Sequence, residues 1–242
     1  MAASVRTCLV VVGLTVYSFL LGPPVLLLTW LSGSPRTLYR LSRLALRMAL
    51  WLAGIRFRVV GFERLDPQQN YLFLPNHQSN VDPPVMLLAL GRDVRMMAKA
   101  QLFRLPLLGQ ALHLAGFVPV VRENRERAIS AVDVAAGWLR RGRDFVVFPE
   151  GTRSRNGQLL PLKKGPFFLA VKGQVPIVPV VIRGTAGLMP RGSRRILSGR
   201  VAVEILEPIP TRGCGVDDRD GLRFRVREAL SARLQGAGGP VA

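Results

Sequence analysis

The sequence is poor in the side chains that form covalent or metal cross-links. It has two cysteines, Cys8 and Cys214, and two histidines, His77 and His113. Two distant cysteines make no disulfide framework, and with only two histidines they argue against a His/Cys metal centre. We therefore expect no metal site. A base that titrates near neutral pH would have to be one of the two histidines.

Acidic residues are also scarce. Fifteen Asp and Glu stand against 34 Lys and Arg, a formal net charge of +19, and only four of the basic residues are lysines. This balance indicates an anionic partner, which could be nucleic acid, acidic lipid or a phosphorylated substrate. Aromatic residues make up 7% and stand mostly in apolar runs. Because they do not alternate with basic residues, we expect no nucleic-acid partner.

Long apolar runs are present, and the first lies near the N-terminus. Residues 8–31 are long enough to span a bilayer as a helix. Pro23 and Pro24 predict a break in the middle of that helix, because an internal proline removes a hydrogen bond. A cleaved signal peptide is the alternative, disfavoured because no small-residue cleavage site follows. The stretch could cross the bilayer or dip into one leaflet.

A basic amphipathic helix is predicted next, within residues 34–55. Arg36, Arg40, Arg43 and Arg47 recur at steps of three and four, which places them on one side of a helix. The other side carries Leu38, Leu41, Leu44, Ala45, Met48 and Leu52. After an apolar helix, this pattern favours a helix on an anionic membrane surface, on the cytoplasmic side. The alternative is a helix packed on the domain with a solvated basic face.

From residue 56 onward, short apolar runs alternate between strand-like and helical patterns. Strands are predicted at 57–60, 71–74, 94–98, 116–121, 144–148, 175–182 and 201–206, and helices at 84–90, 101–114, 124–141 and 217–234. This alternation predicts an α/β layered domain with a mixed, largely parallel sheet flanked by helices. We divide the chain into a membrane-associating helix pair at 1–55, an α/β domain at 56–235 and a frayed tail at 236–242.

One candidate catalytic pair lies in the polar loop between residues 74 and 84. His77 and Asp82 are five residues apart, so they can meet only if the loop folds back. Asp82 could then fix the tautomer of His77 and leave its second ring nitrogen to take a proton. Alternatively, Asp82 followed by Pro83 is typical of a helix N-cap and first turn. Asp82 could serve both roles.

Further candidate residues follow predicted strands. The cluster Glu150–Ser154 comes after the run that ends at Phe148, and ligands of α/β sheets gather at such strand ends. Its glycine allows close backbone approach, and its arginine can grip a phosphate, although a polar surface turn would look the same. A basic loop, Lys163–Gly165, comes next along the chain. Arg122 and Lys99 also end strands and could be ordinary surface cations.

Four blocks in order resemble those of the glycerolipid acyltransferases, the 1-acylglycerol-3-phosphate acyltransferase family. They are Asn76–Asp82, Gly116–Arg122, Phe148–Ser154 and Val175–Val180. One block would be weak evidence, but four with the usual spacing are specific. The likeness covers approximately residues 56–210. The N-terminal helix pair is similar to the membrane-dipping pair of bacterial members, which implies the cytoplasmic face of a bacterial inner membrane.

The resemblance implies an O-acyltransferase that converts lysophosphatidate to phosphatidate. His77, held by Asp82, would act as general base on the free sn-2 hydroxyl. The donor would be the thioester of acyl-CoA or acyl carrier protein, with no other cofactor. The acceptor phosphate would contact Arg122 and Arg153, and Glu150 would orient the glycerol. The full set of substrate-binding residues implied is Lys99, Arg122, Glu150, Gly151, Thr152, Arg153 and Ser154.

The sequence departs from the family pattern at one place. After Lys99 the family often has a basic residue and then Glu, whereas Ala100 and Gln101 stand here. The loss of that charge pair bears on acceptor or donor preference and not on the reaction. Other acceptors stay open, namely another lysophospholipid, a lyso-ornithine lipid or glycerol 3-phosphate. An inactive membrane-bound scaffold is disfavoured because His77 and Asp82 are both intact.

Overall fold

The computed structural model describes residues 2–121, 124–190 and 192–236. The helices in these ranges are α1 (Ala2–Ser32), α2 (Arg36–Leu52), α3 (Asp82–Ala89), α4 (Leu108–Leu114), α5 (Arg125–Arg140), α6 (Gly165–Gly173) and α7 (Arg219–Gln235). The strands are β1 (Ile55–Val60), β2 (Leu72–Pro75), β3 (Arg95–Lys99), β4 (Val118–Val120), β5 (Phe145–Val146), β6 (Ile177–Arg183) and β7 (Gly199–Ile205).

The described strands form one sheet in the order β1-β7-β6-β2-β5-β3-β4. Every neighbouring pair is parallel except β6 and β7. The predicted α/β fold with a largely parallel sheet is therefore confirmed. Because β2, β3, β5 and β6 run in the same direction, their carboxyl ends meet at one edge of the sheet.

Helices cover both faces of the sheet, and successive strand residues point to opposite faces. Phe73 packs into the layer that holds α1, α2 and α3. Leu72 and Leu74 pack into the opposite layer, with α5, α6 and α7. All three side chains are fully buried. The near-continuous apolar runs of the central strands are thus explained by burial on both sides.

Helix α1 continues through Pro23 and Pro24, so the predicted break is wrong. Each proline removes only one backbone donor, and tertiary contacts hold the helix before the prolines and after them, where Val25 packs with Leu38 of α2. The Tyr17 hydroxyl donates to the Leu41 carbonyl of α2 at 2.8 Å. Gly22 lies against the side chain of Leu107. Packing of neighbouring elements thus maintains a helix that local propensity alone would interrupt.

The N-terminal helices leave much apolar surface uncovered. Helix α1 is long and apolar enough to cross a membrane, by length and composition, and only three of its residues are buried. Helix α2 buries Leu38 and Ala45, as the alternative of a helix packed on the domain expects. Leu44 and Met48, predicted on the same apolar side, are exposed, beside Trp51, which is 78% exposed. The apolar surface of α2 therefore faces two ways, toward the domain and away from it.

Two further predictions fail for local reasons. The expected helix over 101–114 is a 3₁₀ turn at Ala100–Arg104 followed by α4. Pro106 separates them, because the residue before a proline avoids helical angles, and Leu105 has ψ 132°. Helix α6 was not predicted, and the supposed basic loop leads directly into it with Pro166 in its first turn.

Candidate active site

The candidate residues lie where neighbouring strands end. The loop with His77 follows β2, and the loop with Glu150 follows β5, which pairs with β2 in parallel. Adjacent parallel strands carry both loops to the same edge of the sheet, the usual place for a ligand in this class of fold. The two loops contact each other directly there.

His77 and Asp82 form a hydrogen bond. Nδ1 of His77 lies 2.8 Å from Oδ2 of Asp82, and the carboxylate is fully buried. The same oxygen accepts the backbone N–H groups of Gln78 at 2.6 Å and Ser79 at 2.8 Å. Three donors on one oxygen fold the loop back and fix the orientation of the imidazole ring.

The carboxylate of Asp82 does not cap a helix. Helix α3 begins at Asp82 itself, the residue before it is Val81, and no side chain caps this end. The carboxylate instead points backward to the N–H groups of the preceding loop. The N-cap interpretation is therefore wrong. Pro83 does lie in the first turn, as expected.

The ring and backbone of His77 are held from the second loop. Its imidazole stacks on Phe148, with ring centroids 4.1 Å apart and an interplanar angle of 28°. Its N–H donates to Oε1 of Glu150 at 2.6 Å. Its carbonyl accepts the N–H of Ser154 at 2.8 Å. The position of the histidine is therefore set by residues more than seventy positions away.

Glu150 links the loop that carries His77 to the far end of its own loop. While Oε1 accepts from His77, Oε2 accepts the N–H of Leu160 at 2.8 Å. The side chain is almost fully buried, and burial raises its pKa to about 7, opposed by these two hydrogen bonds. Both oxygens thus accept backbone N–H groups, one in the loop that carries His77 and one ten residues after Glu150.

The remaining predicted residues fall around this centre. Gly151 has φ +68°, a conformation that favours glycine, and Thr152 and Arg153 are half-buried beside it. Ser154 is buried, and its hydroxyl donates to Asn156 at 3.1 Å. The exposed Lys99 ends β3 at the same sheet edge. Arg122 lies outside the described residues.

Comparisons with known proteins identify the family. The family model described as Acyltransferase matches residues 56–183, more than half of the chain. The chain belongs to this acyltransferase family. The 1-acyl-sn-glycerol-3-phosphate acyltransferase alpha of Ovis aries is 39% identical over 192 residues, which cover 79% of this chain and 67% of the sheep protein. The human protein of the same name is 38% identical over 192 residues, 79% of this chain and 68% of its own length.

The fold comparison agrees. The crystal structure of the 1-acyl-sn-glycerophosphate acyltransferase PlsC from Thermotoga maritima matches with a TM-score of 0.80 and 27% identity, and each chain is covered to 97%. The resemblance inferred from the four sequence blocks is thereby confirmed. The chain is an O-acyltransferase of the 1-acylglycerol-3-phosphate acyltransferase type.

Sequence reasoning missed one clamp in this acyltransferase. The amide of Asn76, buried directly after β2, donates to the Ile182 carbonyl at 3.0 Å and accepts the Ile182 N–H at 2.7 Å. The clamp joins β2 to β6 beyond their last paired residues. An asparagine in a polar loop carries no sequence signal for such a partner, which lies 106 residues away.

In the loop that carries His77, the backbone N–H groups already have hydrogen-bond acceptors. The N–H groups of residues 76–79 all have acceptors, the last two of them on Asp82. The Ser79 hydroxyl donates to the Met189 carbonyl at 3.0 Å. Among the described residues no group of three or more His, Cys, Asp and Glu side chains could hold a metal ion.

The raised pKa of Glu150 predicts a pH-dependent stability. From about pH 4.5, its ordinary value, to about 7, the folded protein retains a proton that the unfolded chain releases. The contribution of Glu150 to the free energy of unfolding is therefore complete below pH 4.5 and is lost as pH rises to about 7. We expect wild type to lose on the order of 1–3 kcal/mol more than Glu150→Gln between pH 5 and 8.

Denaturant unfolding in detergent micelles at the two pH values measures this difference. The exposed Glu228→Gln on α7 is the control and should follow wild type. Identical pH dependence in wild type and Glu150→Gln would contradict the assigned protonation.

Proposed function

We propose that this acyltransferase moves an acyl chain from a thioester donor to the sn-2 hydroxyl of lysophosphatidate, with His77 as general base. The observation that carries the proposal is the 2.8 Å contact between Nδ1 of His77 and the fully buried carboxylate of Asp82. A carboxylate on Nδ1 holds the proton there and leaves Nε2 as the basic nitrogen. The names of the relatives supply the substrate.

The reaction then needs one proton transfer to His77 and one from it. Nε2 of His77 takes the proton of the sn-2 hydroxyl as its oxygen attacks the thioester carbonyl. The tetrahedral intermediate collapses, the C–S bond breaks, and the thiolate takes the proton back from His77. The buried charge of Asp82 stabilises the imidazolium between the two steps. No acyl-enzyme forms in this scheme.

The acceptor phosphate is assigned to the cations around the site. Arg153 stands in the loop that holds His77, and Lys99 ends a strand at the same sheet edge. Arg122 completes the set from the second sequence block. Glu150 acts on the acceptor indirectly, because both of its oxygens bind backbone N–H groups of the site.

The apolar parts of the substrates are assigned to the N-terminal helices. An apolar cavity of about 260 Å³ lies between α1, α2 and α4, lined by residues that include Leu21, Leu38 and Phe117. Exposed Leu44, Met48 and Trp51 on α2 lie near the exposed arginines of that helix. This arrangement suits a helix at an anionic bilayer surface, so we place the enzyme on the cytoplasmic face of a membrane.

The depth of α2 in a bilayer can be measured by fluorescence. We expect Trp51 to be quenched by brominated acyl chains in vesicles that contain phosphatidylglycerol, because its ring is 78% exposed on the proposed membrane face. The protein for this measurement carries Trp30→Phe and Trp138→Phe, so that only Trp51 emits.

The matched control adds Trp51→Phe and Phe224→Trp to that protein. Position 224 is also exposed, at 64%, but lies on α7, which packs on the opposite face of the sheet. Quenching of Trp51 that is no stronger than quenching at position 224 would contradict the proposed orientation.

The substrate assignment is tested by a panel of acceptors. Purified protein is given palmitoyl-CoA or palmitoyl acyl carrier protein with lysophosphatidate, lysophosphatidylcholine, a lyso-ornithine lipid or glycerol 3-phosphate. The proposal expects phosphatidate from lysophosphatidate as the fastest product. Faster acylation of one of the other acceptors would overturn it.

A further inference from the structure

A polar groove lies behind the catalytic loops, between residues 157–159 and helix α7. Its volume is about 350 Å³, within the range of small-molecule sites. The polar side chains that line it are Gln158, Arg227, Ser231 and Gln235. We call it the α7 groove. The roles assigned above to substrates and catalysis leave it without an occupant.

The α7 groove is coupled to the catalytic loop by two contacts. The side-chain amide of Gln78, next to His77, donates to the carbonyl of Gly157 in the groove wall at 2.8 Å. Arg227 donates to the Leu160 carbonyl at 3.3 Å, and the N–H of Leu160 binds Glu150. Arg227 is close enough for its charge to lower the pKa of Glu150. A ligand in the groove would therefore lie next to the site.

The groove and the apolar cavity lie on opposite faces of the sheet. Helix α7 packs with β6 in one layer, whereas α1, α2 and α3 form the other. Asp82 begins α3 in the second layer, and the Gln78 contact leads into the first. The catalytic loop therefore stands between an apolar compartment and a polar one.

A thioester donor likewise consists of an apolar part and a polar part. Its acyl chain is apolar, and beyond the sulfur it carries a phosphopantetheine arm with two amides and a phosphate. This arm is common to acyl-CoA and acyl carrier protein. Resting on the proposed function, we propose that the α7 groove binds the phosphopantetheine arm, with Arg227 on its phosphate and Gln158, Ser231 and Gln235 on its amides. An arginine is well suited to a phosphate, and amide and hydroxyl side chains to amides.

Competitive inhibition tests the assignment without depending on which donor is used. Coenzyme A and 4′-phosphopantetheine should both compete with the acyl donor and not with lysophosphatidate. Arg227→Gln should raise both inhibition constants about tenfold, as expected for the loss of one hydrogen bond to a charged group. Pantetheine, which lacks the phosphate, should inhibit both proteins equally. Ser231→Phe should weaken all three ligands by filling the groove.

The control is Arg225→Gln, which removes an equal charge from another exposed position of the same helix, outside the groove lining, and should change nothing. A raised constant for coenzyme A alone would place Arg227 on the nucleotide phosphates and overturn the proposal. Unchanged constants, or a raised lysophosphatidate KM instead, would also overturn it.

Equilibrium binding of coenzyme A separates this proposal from the proposed function, because it needs no turnover. If lysophosphatidate is not acylated but Arg227→Gln still weakens coenzyme A binding about tenfold relative to Arg225→Gln, the groove assignment stands alone. If phosphatidate forms and both variants bind coenzyme A like wild type, only the groove assignment fails.

Discussion

Replacing His77 with alanine should lower turnover by about 10²–10⁴-fold, the usual contribution of a general base. The imidazole is the group that the structure ties to Asp82 through Nδ1. The fold should survive, because the contacts of His77 with Glu150 and Ser154 use its backbone, which alanine retains. Steady-state rates with lysophosphatidate and donor at saturation measure the effect.

His113 provides the matched control, because it is the second of the two histidines in the sequence. It is exposed on α4, where its ring meets the edge of Phe103 with centroids 4.9 Å apart. His113→Ala should keep turnover close to wild type. Near wild-type turnover in His77→Ala, with circular dichroism unchanged, would rule out the mechanism.

Two substitutions of Asp82 should have different effects, because its oxygens have different surroundings. Oδ2 accepts three N–H groups, whereas Oδ1 is buried without a hydrogen-bond partner among the described residues. In Asp82→Asn the backbone N–H groups of Gln78 and Ser79 require an acceptor, so the amide oxygen should take the place of Oδ2. His77 would then keep its tautomer and lose only the neighbouring negative charge.

We therefore expect Asp82→Asn to lower turnover by about 10–100-fold, the difference between a charged and a neutral hydrogen bond plus the lost charge. An amide turned the other way would enforce the wrong tautomer and cost about 10⁴-fold. A loss of that size would contradict the predicted orientation.

Asp82→Ala should instead destabilise the protein. It leaves the buried N–H groups of Gln78 and Ser79 without an acceptor, at about 1–3 kcal/mol each. Its melting temperature should fall well below that of Asp82→Asn, and its turnover should fall further, because the loop loses the contacts that turn it back. Equal melting temperatures for the two variants would contradict this account.

The sequence predicts elements best where local pattern and burial agree. The alternating strand and helix patterns were enough to predict the sheet, because the short apolar runs that indicate strands in the sequence are the same segments that are buried in the core. Helix α6 escaped prediction because most of its residues are buried, so it has no amphipathic period. The Pro23–Pro24 pair wrongly predicted a break in α1, because the packing of α1 on α2 outweighs the loss of two backbone donors.

Within the site, the loops could be found from sequence but not their internal contacts. His77 and Asp82 stand out by residue type and by resemblance to the family. That Asp82 turns back to loop N–H groups, and that Glu150 points inward, depends on tertiary geometry. Leu160 contributes a backbone N–H that no residue pattern reveals. A side chain that acts by hydrogen bonding to the backbone of a distant residue is therefore the hardest to predict.

The loop between β6 and β7 has a practical consequence for making a soluble fragment. Its Met189 carbonyl accepts the Ser79 hydroxyl beside His77 and Asp82, and its Ile196 N–H donates to Thr7 of α1 at 2.9 Å. Val10 of α1 is part of the main core. Removing α1 to avoid detergent would therefore also remove core residues and a contact of the loop beside His77, so we expect the truncated protein to be a poor choice for crystallising the enzyme.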